Sequence, residues 1–250
     1  TILLADIHAS LNGKGDLDEI QETGEKMISK FIEFGLSRED TTFVFGSEFQ
    51  SDLDYQMDVQ DLARNVSLNR ARRSMADIGT DQEKVSNALY PIMQAVDIHQ
   101  LDVDIAVGGM EQRKVHMLAR DTLPQIGADK PIFLHTPLIE DLGGEDSKMS
   151  TSTGVSISTS ADPEEIRTII TDSFCPPATV QNGKENPVVQ ICEFLIIPRQ
   201  GQLKVTREDD FGGNVTFESI TDLKEAINSG SLHPTDLKNA VSDALVDMVC

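Results

Sequence analysis

Two hydrophobic rhythms run through the chain. Short unbroken apolar runs alternate with longer stretches in which apolar residues return every three or four positions. Leu3 to Ile7 predicts a first buried strand. From Asp16 to Gly35, residues Leu17, Ile20, Met27, Ile28, Phe31, Ile32 and Phe34 suit one face of a helix that Gly35 ends. Thr41 to Phe45 predicts a second strand, closed by Gly46-Ser47, and polar-rich helical stretches follow around Asp58–Ile78 and Asp81–Met93. Asp102 to Val107 is a third strand, followed by Gly108-Gly109 and a helix from about Met110 to Leu123. Pro131 to His135 is a fourth strand. Strands alternating with helices imply an α/β fold with a Rossmann-like, mostly parallel sheet, whose ligands sit at the C-terminal strand ends.

Beyond the fourth strand the pattern changes. Asp162-Pro163-Glu164-Glu165 is a helix start, with a capping carboxylate, proline in the first position and acids in the first turn. Further helices begin near Asn186-Pro187, Thr221 and Thr235, and only short strand pieces are expected, around Leu203–Thr206 and Val215–Phe217. Residues 1–158 therefore form an α/β domain and 159–250 a separate, mainly helical one.

Composition narrows the setting. The 250 residues carry 42 acidic and 21 basic side chains, a net charge of −21. That excess describes a solvated surface and argues against general nucleic-acid affinity, so any RNA contact must use local basic patches. A salt-rich cytoplasm, as in halophiles, would screen the self-repulsion. No apolar run approaches the roughly 18–20 residues that span a bilayer. The chain opens on a buried strand rather than a secretory signal. Cys175, Cys192 and Cys250 lie far apart without metal spacing, so a reduced, cytoplasmic compartment is the simplest reading.

The most chemically suggestive segment is Lys148-Met149-Ser150-Thr151-Ser152, introduced by Gly143-Gly144 and followed by Gly154. A lysine in a loop of small and hydroxylated residues is a cation that can swing onto a polyphosphate, with backbone N–H and hydroxyl donors beside it. Its place between the fourth strand and the helical domain is that of the KMSKS loop (here 143–154) of class I aminoacyl-tRNA synthetases. With Leu3 to Ala9, Gly46 to Gln50, Tyr90 to Gln94, Val107 to Lys114 and Leu232 to Asn239, the chain resembles the archaeal/eukaryotic type of the tyrosyl-tRNA synthetase family. The acidic excess resembles a haloarchaeal version.

That resemblance implies a class I catalytic domain over 1–158, present in part, and an anticodon-binding domain over 159–250. It implies ATP-dependent activation of L-tyrosine and transfer to tRNA(Tyr) by a homodimer with no membrane association. Tyr90, Gln94 and Gln112 resemble the residues that hold the substrate ammonium. Asp97 resembles the acceptor of its phenol hydrogen bond, and Leu3, Ala5, His8 and Phe49 the walls around its ring. Gln94 lies four residues after Tyr90, so both can share one helix face. A pocket built to bond a hydroxyl rejects the analogue lacking it by a factor of order 10⁴–10⁵. Leu3, Ala5 and Phe49 are about equally consistent with plain core packing.

Lys148, with Ser150 and Ser152, is expected to stabilise charge on the transferring phosphates, and Lys148 and Met149 to contact the nucleotide; removal of one such donor typically costs about 10²–10³ in rate. Thr151 stands where many class I enzymes carry a second lysine. Mg²⁺ is expected to arrive with ATP, with no dedicated protein metal site. Arg73, Arg113 and Lys114 resemble acceptor-stem contacts, whereas Arg70 and Arg72 suit a helix face paired with acids. Phe211 and His233 resemble side chains that stack on the anticodon guanine, and Asp236 one that hydrogen-bonds it; Thr235-Asp236 equally suits a helix cap.

The family's His-x-Gly-His signature, which binds ATP, does not occur in this sequence. A fragment lacking that N-terminal part, nearly inactive by itself in pyrophosphate exchange, is the expectation. Two other readings remain open: the related tryptophanyl enzyme, and a non-catalytic tRNA-binding fragment.

Overall fold

A computed structural model of the chain describes residues 1–75, 84–143 and 155–249. It divides into two units, Thr1–Leu138 and Ile139–Cys250. The Lys148 loop, with Met149, Ser150 and Ser152, lies outside the described residues.

The first unit opens with β1 (Ile2–Leu4) and α1 (Asp6–Leu11). The strand expected to run to Ile7 thus stops three residues earlier. Asp6 turns the chain: its carboxylate accepts from the backbone N–H groups of Ile7 and Ser47, from the Ser47 hydroxyl and from the Gln21 amide. Burial alone would raise its pKa, but those hydrogen bonds together hold it below the ordinary value. Asp6 so ties α1 to α2 (Leu17–Glu33) and to the turn after β2 (Phe43–Phe45). Asp16 caps α2, its side chain accepting from the Glu19 N–H.

α3 (Leu53–Asn65) and α4 (Leu68–Ser74) replace the single helix expected near 58–78. Val66 is extended and Ser67 starts a fresh helix, its hydroxyl accepting from the Arg70 N–H. α5 (Val85–Gln100) runs through Pro91 and seven residues past the expected end at Met93. β3 (Ile105–Gly109) leads by a 3₁₀ turn, Met110–Gln112, into α6 (Arg113–Thr122), and β4 is Ile132–Thr136. β1 pairs with β2 and β3 with β4, both in parallel. The one mostly parallel sheet expected is thus seen as two separate parallel pairs, each with its strands joined through helices in a Rossmann-like manner. Tyr55, Leu62, Val96, Leu118 and Leu123 form the core between α3, α5 and α6. Ile105, Val107, Ile132 and Leu134 stand on one exposed face of the β3–β4 pair.

The second unit is mainly helical. α7 (Pro163–Asp172) packs on the long α11 (Pro234–Val249), with α8 (Pro187–Ile191), α9 (Ile197–Gln200) and α10 (Ile220–Ser229) around the same core. A π-helical turn, Cys192–Ile196, joins α8 to α9. Leu203–Val205 and Val215–Phe217 pair antiparallel, at the two expected strand pieces. Ile139, Leu142 and Ile157 also pack on this core, so the chain enters the second unit before residue 158.

Candidate active site

The candidate site gathers around Asp97 on α5. Tyr90, Gln94 and Asp97 are spaced i, i+4 and i+7 on α5, which places all three on one side of the helix. Asp97 is only 2% exposed. One carboxylate oxygen, Oδ1, accepts from Gln50 Nε2 at 2.6 Å and from the Tyr55 hydroxyl at 2.8 Å. The other, Oδ2, has no hydrogen-bond partner, and His8 Nε2 stands 3.6 Å away, also without one. Burial raises the Asp97 pKa to about 6, against the opposing pull of the Gln50 and Tyr55 bonds.

The surrounding groups are neutral over that range. Burial lowers His8 to about 4, and raises the phenols of both Tyr55 and Tyr90, with the nearby Asp97 charge adding to each. The edge of the His8 ring meets the Tyr90 ring, centroids 4.5 Å apart. Phe49 meets Tyr55 in the same manner at 5.6 Å. Asp97 therefore sits in a cage of three aromatic side chains and an imidazole, with one oxygen committed and one unsatisfied.

Several elements converge to build this cage. The Asp6 network fixes the start of α1, which carries His8, and the turn after β2, which leads to Phe49 and Gln50. Gly46 is required there: a Cβ would lie 2.8 Å from Gln50 Oε1 and 3.1 Å from Asp6 Oδ1. Gln94 reaches across from α5 and donates from Nε2 to Gln112 Oε1 at 2.9 Å. Gln112 holds its position because Gly108 lets the chain come close; a Cβ there would stand 3.0 Å from the His116 ring and 3.1 Å from Gln112 Cβ. Gln94 Oε1 and Glu111 Oε2 are buried without partners, leaving two acceptors fit for an ammonium group.

Of the residues singled out from sequence, His8, Tyr90 and Asp97 come together, Phe49 joins them through Tyr55, and Gln94 and Gln112 form a second pair. Leu3 and Ala5 line a cavity of about 460 Å³ beside α2, with Ile20 and Phe31. Arg73, Arg113 and Lys114 are exposed on α4 and α6. Arg70 is paired with Asp121. In the second unit Phe211 is 68% exposed, on a 3₁₀ turn that ends at Gly212 with φ of 96°. His233 Nδ1 accepts from the Thr235 N–H at the start of α11, and Asp236 lies 4.0 Å from Arg207. Among the described residues no three His, Cys, Asp or Glu side chains gather as metal ligands.

Three features were missed in the sequence. Gln50 ends the Gly46–Gln50 segment, and nothing in that segment's sequence gives it a role. Tyr55 follows it by five residues, and the fact that the chain's two tyrosines are Tyr55 and Tyr90 was the available signal. His116 Nδ1 and His135 Nε2 lie 3.1 Å apart behind Gly108, and burial followed by its neighbour His135 lowers His116 to about 4. No sequence spacing joins residues from a helix and a later strand.

The whole span 1–249 matches the family described as tRNA synthetases class I (W and Y). A tyrosine–tRNA ligase of Halorubrum lacusprofundi is 48% identical over 252 residues, covering 98% of this chain and 77% of that protein. One from Halobacterium salinarum is 45% identical over 250 residues, covering 99% and 76%. The crystal structure of Archaeoglobus fulgidus tyrosyl-tRNA synthetase with L-tyrosine superimposes with a TM-score of 0.91 at 44% identity, covering 99% of this chain and 76% of that one.

Proposed function

The chain belongs to the class I tRNA synthetases of the tryptophan and tyrosine type, and we propose that its Asp97 cage receives the phenol of L-tyrosine. Its activity is that of the tyrosine–tRNA ligases: ATP-dependent activation of L-tyrosine and transfer of the tyrosyl group to tRNA. In the first step a tyrosine carboxylate oxygen bonds to the α-phosphorus of ATP, and pyrophosphate leaves with the electrons of the broken P–O bond. In the second a ribose hydroxyl of the tRNA attacks the carbonyl carbon, and AMP leaves.

The observation that carries the reading of the cage is Asp97 Oδ2, a buried carboxylate oxygen without a partner in an aromatic surround. A phenol O–H donates to it; phenylalanine leaves it unpaired, at the full desolvation penalty. Tyr90, Gln94 and Gln112 lie toward the other end of the amino acid, where an ammonium donates to the amide oxygen left over by the Gln94–Gln112 bond. His8 and Phe49 flank the ring, while Leu3 and Ala5 line the cavity beside α2. In this reading Lys148, with Ser150 and Ser152, bears on the phosphates, Met149 on the nucleotide, and Mg²⁺ enters with ATP as part of the substrate.

For the tRNA, Arg73, Arg113 and Lys114 are exposed basic groups on an otherwise acidic protein and suit the acceptor stem. Phe211 offers an open ring for a flipped-out base, and in this reading His233 and Asp236 take part in the same anticodon contact. The domain division is catalytic for the first part and anticodon-binding for the second. Exposed Leu53, Met57, Leu68, Val85 and Leu89 supply apolar surface for a homodimer. No helix among the described residues is long and apolar enough to cross a membrane, and we assign the activity to the cytoplasm, where translation occurs.

The test is calorimetric titration with L-tyrosine, L-phenylalanine and L-tryptophan. Binding of tyrosine at least 100-fold tighter than either competitor is expected; equal binding of phenylalanine would sink the phenol assignment.

A further inference from the structure

Two buried groups beside Asp97 have no direct part in holding the substrate under the reading above: Gln50, 2% exposed, and Tyr55, fully buried. They come from different elements, the segment after β2 and α3, yet both donate to the same oxygen, Asp97 Oδ1. The single Tyr55 hydroxyl hydrogen has two acceptors in reach, Oδ1 at 2.8 Å and the Met93 carbonyl at 3.1 Å. The shorter contact to the charged group is the stronger one.

We propose that Gln50 and Tyr55 are positioning residues for tyrosine specificity, pinning one oxygen of the Asp97 carboxylate so that the other faces the substrate as a fixed acceptor. The proposal rests on the reading that L-tyrosine occupies this cage. Discrimination against phenylalanine requires that Oδ2 stay unsatisfied when no hydroxyl is present. A carboxylate free to rotate would exchange its oxygens between the same donors and relax toward whichever partner remained, softening that penalty. Turning Asp97 here means breaking two hydrogen bonds at once, in a core already closed by Met93, Val96 and Leu62.

The same two donors favour the ionised carboxylate against burial. The titratable groups facing Asp97 are His8 of α1, Tyr55 of α3 and Tyr90 of α5. Removing either donor raises the Asp97 pKa further, so the acid limb of tyrosine binding moves to higher pH.

The experiment is calorimetric titration of the wild type, Tyr55→Phe and Gln50→Met with L-tyrosine and L-phenylalanine between pH 5 and 8, with folding checked by circular dichroism. Each substitution deletes a donor while nearly keeping shape, and either one suffices should the other fail to fold. Expected is about a tenfold loss of tyrosine affinity, phenylalanine affinity unchanged or raised as the penalty on it softens, and an acid midpoint shifted upward. A purely structural role would weaken both amino acids alike and leave the midpoint in place, and that result overturns the proposal. A wild type that prefers tyrosine while both variants keep the preference and the midpoint overturns it too, leaving the tyrosine reading intact. A wild type with no preference for tyrosine removes the reading and the proposal together.

Discussion

The two units of this chain bury different chemistry. The interior of Ile139–Cys250 is aliphatic, with Ile166, Ile170, Ile196, Leu223, Ile227 and Leu237 fully enclosed. Its buried Asn186 is satisfied on both sides: Nδ2 donates to the Pro176 and Ala178 carbonyls, and Oδ1 accepts from Val188 and Val189. In Thr1–Leu138, by contrast, His8 Nε2, Gln50 Oε1, Gln94 Oε1, Asp97 Oδ2 and Glu111 Oε2 are buried without partners, and among the described residues no other side-chain N or O atom is in that state. Each such group costs about 1–3 kcal/mol. The first unit carries that cost around Asp97 and the Gln94–Gln112 pair, whereas the second interior carries none among the described residues.

The contrast is sharpest where substitutions should act on one property and spare the other. Leu237→Ala removes a fully buried side chain from the second core and should cost about 2–5 kcal/mol in denaturant unfolding, with tyrosine affinity unchanged. Asp97→Asn should do the converse: tyrosine affinity falls on the order of 100-fold, with phenylalanine affinity and the unfolding midpoint little altered. Were Asp97→Asn to unfold the chain as Leu237→Ala does, the division between binding and stabilising interiors would fail.

Acid should find the first unit before the second. His8 and His116 have folded pKa values of about 4 against 6.5 when unfolded, so their contribution is lost as pH falls from about 6.5 to 4. Asp97 works in the opposite sense: with a folded pKa of about 6 against 3.8, its penalty is relieved over much of the same interval. Two imidazoles outweigh one carboxylate, and a net loss on the order of 2 kcal/mol is expected, read from thermal melts across that window. A flat profile would contradict it. The smallest effect belongs to Arg70→Ala, which breaks an exposed ion pair with Asp121 and should cost at most about 1 kcal/mol. A large loss of tRNA affinity in that variant would instead move Arg70 into the acceptor-stem contact.

Much of this was legible beforehand because periodicity and caps are local. Gly35, Asp162-Pro163 and the apolar runs marked their elements, and the fold followed. The failures are equally instructive. The helix bearing Asp97 is expected from sequence to end at Met93, yet Ala95, Val96 and Asp97 beyond that point are all buried on the same helix, Asp97 through bonds to Gln50 and Tyr55 that lie more than 40 residues away in sequence. Asp6 reads as part of a strand because its side-chain bonds to Ser47 and Gln21 are long-range and leave no local mark. The part taken by Tyr55 depends on a contact 42 residues away in sequence, and periodicity can say no more than that it is core.

The most direct measurement is a crystal structure of this chain with L-tyrosine bound. The phenol oxygen should lie within hydrogen-bonding distance of Asp97 Oδ2, with Gln50 and Tyr55 still on Oδ1. A tyrosine bound elsewhere, or an Asp97 side chain turned out into solvent, would contradict the assignment.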